Sequence, residues 1–169
     1  MAKHYDRDRY ATSVVVLHWT IVVLIVAQLL TADGMEEFFR GADDAGIAPG
    51  FPPPSTALMH AGFGATILIL TLTRFVLRMK THVPPPPSDL PKVMQFVARF
   101  THYALYATLI ALPLTGVTAL LITPDAGDVH EALKNVLYVL AGAHVLGALT
   151  HLVILRDGVF WRMVPIGRR

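Results

Sequence analysis

The sequence contains no cysteine. That absence excludes disulfides, thiolate metal sites, iron–sulfur clusters and any haem tethered through thioether bonds. A metal held by this chain has only nitrogen, oxygen or thioether donors. Charge is also scarce. Only 15% of the 169 residues are charged, against about a quarter in a soluble domain. The N-terminal stretch MAKHYDRDRYATS is polar, and no small-residue cleavage site follows the first apolar run, so no cleaved signal peptide is expected.

What is present is apolar surface: 54% of residues are hydrophobic and mean hydropathy is +0.53. It is gathered into four runs, at about residues 12–32, 55–77, 93–122 and 129–155. Each reaches the ~20 residues that a helix needs to cross about 30 Å of hydrocarbon. None shows the period-2 alternation of a barrel strand, so helices are predicted. THVPPPPSDLP (Thr81 to Pro91) reads as a stiff polyproline link. TPDAGD (Thr123 to Asp128) reads as a tight turn between antiparallel neighbours, and Asp33 to Pro54 as an acidic connection ending in GFPPP. The prediction is an all-α membrane protein, a four-helix up-and-down bundle forming one domain over residues 1–169.

The basic residues give a direction. Lys3, Arg7 and Arg9 lie in the N-terminal tail, and Arg74, Arg78, Lys80, Lys92 and Arg99 flank the proline link. Arg156, Arg162, Arg168 and Arg169 follow the last span. The opposite side has Arg40 and Lys134 among many carboxylates. Both termini are therefore expected in the cytoplasm.

Six histidines lie in or at the rims of the spans: His18, His60, His102, His130, His144 and His151. A lone histidine on an apolar face is usually a satisfied core residue. Ionisable groups inside a bilayer are costly and mark function by default, and six together make packing alone an inadequate account. The last span carries three, separated by fourteen and then seven residues, and both steps return to nearly the same helix face. Fourteen residues advance about 21 Å and seven about 10.5 Å. A porphyrin is on the order of 15 Å across, so two rings stack at the longer step and collide at the shorter. His130 and His144 thus suit a two-haem wire. Depth places His60 with His130, and places His18 equally with His144 or His151; the ring-spacing argument selects His144. Small residues on these helices (Gly62, Gly64, Gly116, Gly142 and Gly147 among them) suit close approach of a helix or flat ring. Pro113 is expected to kink the third span.

Several stretches together resemble the bacterial cytochrome b561 family. They are RYATSVVVLHW (Arg9 to Trp19), MHAGFG (Met59 to Gly64), TRFVLRMK (Thr73 to Lys80) and HYALYATLIALPLTG (His102 to Gly116). His130–Glu131 and AGAHVLGALTHLVILRDGVFWRMVP (Ala141 to Pro165) complete the set. The resemblance implies a multi-pass protein of the bacterial cytoplasmic membrane with two non-covalent, bis-histidine b-type haems. His18 and His144 would hold the inner haem iron, His60 and His130 the outer. It further implies that His102 and His151 are not ligands but line a quinone pocket with Arg74 or Arg78, reducing ubiquinone or menaquinone. Imidazoles there suit proton donation.

One member of that family oxidises superoxide at the outer face, which implies superoxide or a periplasmic redox protein as donor. An anionic donor is drawn by positive potential, and Lys134, one turn after His130, is the candidate donor-side cation on an otherwise acidic face. The competing readings are a cytochrome b subunit docking a hydrogenase or dehydrogenase, and a histidine-based metal-binding membrane protein. The second is disfavoured by the lack of intramembrane carboxylates and methionine-rich ligand sets. Lipid and quinone are the expected partners, and no nucleic acid is.

Overall fold

The computed structural model describes residues 9–45 and 55–165. Five α-helices account for most of them: α1 (Thr12–Leu30), α2 (Ala32–Asp44), α3 (Ser55–Lys80), α4 (Lys92–Leu121) and α5 (Ala126–Leu149). A π-helical segment, Thr150–Leu155, continues α5, and a 3₁₀ turn, Phe160–Met163, follows. No strand occurs among the described residues. α1, α3, α4 and α5 with its π extension are the four helices long and apolar enough to cross a membrane.

Lipid is the solvent these side chains are built for. Leu30 is 81% exposed and Ile122 78%, while among the described residues only Val14, Val15 and Thr71 are fully buried larger side chains. A water-soluble domain does not present apolar surface on that scale. In hydrocarbon every backbone group must be satisfied within the helix. Threonine hydroxyls follow the same rule: those of Thr20, Thr66, Thr73, Thr101 and Thr118 each donate to the carbonyl four residues earlier.

Helix ends follow local chemistry. At the end of α1 the Thr31 hydroxyl donates to the Ala27 and Gln28 carbonyls. At the end of α3 both the backbone N–H and the hydroxyl of Thr81 donate to Leu77, after which the prolines forbid continuation. α5 begins three residues earlier than the sequence pattern suggested, directly from the Thr123–Pro124 turn. The larger difference is α2. The acidic connection contains an amphipathic helix whose acidic residues had obscured its Met35, Phe38 and Phe39. It is set tightly on α3, since a Cβ at Gly34 would overlap the Thr56 side chain. The GFPPP segment lies outside the described residues, as do Lys3, Arg7, Arg168 and Arg169.

α5 packs closely on α4, α4 on α3, and α3 on α1, whereas α1 and α3 make only sparse contact with α5. A separation is thus held open between α5 and the helices that carry His18 and His60. At the basic end the chain is tied together. Trp19 Nε1 donates to the Met163 carbonyl at 2.6 Å, and Arg162 donates to the Pro85 carbonyl at 2.7 Å.

Candidate functional site

Two pairs of imidazoles face each other across that separation. His18 on α1 and His144 on α5 have ring centroids 6.1 Å apart with planes at 76°. His60 on α3 and His130 on α5 have centroids 6.4 Å apart at 65°. Two metal–imidazole bonds of about 2 Å, with about 1.1 Å from each nitrogen to its ring centre, give roughly 6 Å between centroids. Edge-to-face aromatic pairs span the same range, so the distance alone does not discriminate. α5 is unbroken from His130 to His144, so their fourteen residues correspond to about 21 Å of rise.

The His130 environment is the better defined. Its Nδ1–H donates to the Leu112 carbonyl at 2.8 Å, with the Thr115 hydroxyl oxygen 3.2 Å away. A carbonyl only accepts, so the hydrogen sits on Nδ1 and the Nε2 lone pair is left for a metal. Gly116 makes room for this contact, since a Cβ there would stand 3.2 Å from His130 Cε1. The IALPLTG stretch therefore forms a seat for His130. Across from it, His60 Nδ1 and Gln28 Oε1 are buried without hydrogen-bond partners.

Two open clefts both border His60, His130, Gln28, Gly64 and Pro113. Met35 and Ala32 of α2 border one each, so this helix roofs the site. Lys134 also lines one of the clefts, and its ammonium lies 3.3 Å from Glu131 in an exposed ion pair. The other cation at this end, Arg40, is paired with Glu36.

At the basic end, His102 lies beside His144, with centroids 5.1 Å apart, and its Nδ1–H donates to the Ala98 carbonyl at 2.6 Å. Arg74 is buried at 8% exposure and donates to Tyr106 Oη at 2.6 Å and to the carbonyl of Val14, one helical turn before His18, at 3.4 Å. Arg78 lies over the Tyr10 ring and has a buried Nη1 without a partner. His151 has a partner of its own. No hydrogen bond, ion pair or ring contact joins it to His102, Arg74 or Arg78 among the described residues; its Nδ1 is 2.6 Å from Asp157. The single-stripe expectation holds from His130 to His144, but His151 sits where π geometry has replaced the α register.

Sequence reasoning missed Asp157, Tyr106 and Gln28. Tyr106 had a usable signal, being one helical turn after His102. Asp157 and Gln28 had none beyond polarity. Of the glycines, Gly116 and Gly64 meet protein side chains, whereas Gly62, Gly142 and Gly147 meet no protein atom within 4 Å, so helix packing does not explain those three.

A membrane-spanning helical bundle whose polar interior is a set of facing imidazoles has the architecture of a membrane cytochrome. The family model for prokaryotic cytochrome b561 matches residues 9–165, and the chain belongs to that family. It is 26% identical over 180 aligned positions to a probable superoxide oxidase, CybB, of Yersinia pestis, covering 93% of this chain and 96% of the relative. It is 28% identical over 189 positions to cytochrome b561 homolog 1 of Escherichia coli K12, with 94% and 98% covered. A cytochrome b562 of Cereibacter sphaeroides is 26% identical over 167 positions, with 92% and 94% covered.

Membership makes this a multi-pass membrane protein that binds b-type haem and transfers electrons. The residues present fit such a group. Paired imidazoles, a His130 Nε2 left for a metal, orphaned buried polar atoms and open clefts beside one pair suit a planar iron chelate, and the absence of cysteine suits non-covalent binding.

Proposed function

We propose that the chain is one transmembrane domain carrying electrons from a donor on the outer side of the bacterial cytoplasmic membrane to the quinone pool. The basic end faces the cytoplasm. His60 and His130 hold an outer b-type haem and His18 and His144 an inner one, each supplying a one-electron iron couple when bound. The observation that carries this reading is the pair of facing imidazole sets, at 6.1 and 6.4 Å, that share one unbroken helix.

The protein's own side chains do the positioning. Leu112 and Thr115 fix the His130 ring, and Gly116 gives it room. Two histidines would hold each iron, a ligand set that suits electron transfer rather than oxygen binding. His102, Arg74 and Arg78 lie at the quinone end of the path, where Arg74 places positive charge beside the inner pair. His151 supplies a proton to the reduced quinone.

Superoxide is the candidate donor, supported by the name of the Yersinia pestis relative. Lys134 at the mouth of the outer cavity is the donor-side cation. A second reading is favoured by α2. This helix lays Glu36, Glu37, Asp43 and Asp44 over the acidic end, and both cations there are ion-paired, a surface suited to a basic redox protein.

The deciding experiment is quinone reduction by the purified holoprotein with enzymatically generated superoxide. Turnover above the uncatalysed rate supports the stand-alone enzyme. Its absence, with intact haem spectra and rapid reduction by a basic protein donor, supports the docking subunit.

A further inference from the structure

α5 does not end as an ordinary helix. Its last residues widen into the π segment Thr150–Leu155, Arg156 takes a left-handed conformation at φ 51°, and Gly158 follows at φ 79°. The chain reverses there and returns Asp157 to His151. Nδ1–H of His151 donates to Asp157 Oδ2 at 2.6 Å, and the other carboxylate oxygen, Oδ1, accepts the Val159 backbone N–H at 3.1 Å. Both side chains are sheltered, at 16% and 18% exposure.

The carboxylate is thus held on both oxygens, and the segment carrying it is anchored downstream. The 3₁₀ turn after it is fixed to α1 through Trp19 and to the proline link through Arg162. A left-handed non-glycine residue and a π turn are both costly conformations. Here they deliver one carboxylate to one imidazole.

The geometry points to Asp157 as the positioning residue of a proton-delivering His–Asp dyad at the basic end. With Nδ1–H committed to the carboxylate, the tautomer and ring orientation of His151 are set and Nε2 is the nitrogen left for proton exchange. The inference rests on the quinone reading given above. Each quinone gains two electrons, supplied by the cytochrome, and two protons. For one of these the Nε2–H bond of His151 breaks as the O–H bond of the quinol forms. The second proton comes from water at that face, which also recharges the imidazole. Asp157 is not consumed and does not itself need to release a proton.

The test uses the holoprotein, chemically reduced without oxygen and mixed with a short-tail ubiquinone, following reoxidation through the haem absorption. This makes the result independent of the physiological donor. His151→Gln should lower the limiting rate at saturating quinone by about 100-fold, within the range of lost general acid catalysis. Asp157→Asn should lower it by about 10-fold, the scale of a lost orienting partner, with the half-saturating quinone concentration and haem content unchanged. Asp157→Glu should recover part of the rate, and the double variant should be no slower than His151→Gln alone.

A normal rate in Asp157→Asn beside a slow His151→Gln overturns the dyad and leaves the quinone reading in place. A normal rate in His151→Gln overturns the reading of His151 itself. A loss of haem or thermal stability in Asp157→Asn that matches its loss of rate makes the carboxylate a structural tie and also overturns the dyad.

Discussion

Replacing Gly116 by alanine tests the seat of His130 at the scale of one methyl group. The new Cβ would stand 3.2 Å from His130 Cε1 and 3.3 Å from Nδ1, closer than ordinary van der Waals contact. The ring must retreat from α4 by a few tenths of an ångström, which lengthens the 2.8 Å bond to the Leu112 carbonyl and strains the side-chain torsions. A weakened hydrogen bond costs about 0.5–1.5 kcal/mol, and an off-rotamer torsion about as much. Together these make about 1–3 kcal/mol, or roughly 5- to 150-fold weaker retention of the haem that His130 holds. The assay is haem per chain by pyridine haemochrome, followed during dilution into haem-scavenging apomyoglobin. One of two haems should leave faster, and the reduced-minus-oxidised spectrum should show which component is lost. Gly127→Ala is the control, because nothing lies within 4 Å of that position. If Gly116→Ala releases haem no faster than Gly127→Ala, the Leu112–Gly116 seat does not constrain His130 and the argument fails.

Two further substitutions probe the pairs themselves. His130→Ala should leave close to one haem per chain and retain the component held by His18 and His144; an unchanged stoichiometry would remove His130 from the ligand set. Arg74→Gln should lower the midpoint potential of the inner component only, because a nearby cation disfavours the more positive ferric state. The shift is on the order of tens of millivolts at an effective dielectric near 20. Redox titration monitored in the α-band measures it, and equal shifts in both components would contradict the placement of Arg74 beside His18 and His144.

Much of the fold was legible because the membrane allows few solutions. Four apolar runs of sufficient length, without alternation, leave a helical bundle as the economical answer, and the structure supplies those helices within three residues of the expected ends. The proximity of His60 to His130, and of His18 to His144, was legible for a related reason: helix rise converts sequence separation into depth. What could not be read is what depends on departure from regularity. α2 hid because acidic residues dominate its composition. His102 was placed near a rim by counting, but packing turns it onto His144. The His151–Asp157 contact depends on a π turn and a left-handed residue, neither of which leaves a periodic trace.

The order of the helices along the chain also has a consequence for how the protein is made. α1 and α3 each contribute one ring of a pair, and α5, emerging last, contributes both of the others. A nascent chain with three membrane helices inserted therefore holds two half-sites and no complete one. Synthesis from His60 to His130 takes on the order of ten seconds at bacterial rates, and during that interval a captured haem would have a single protein ligand. Both pairs close with the arrival of one helix, so a chain truncated before α5 lacks one ring of each.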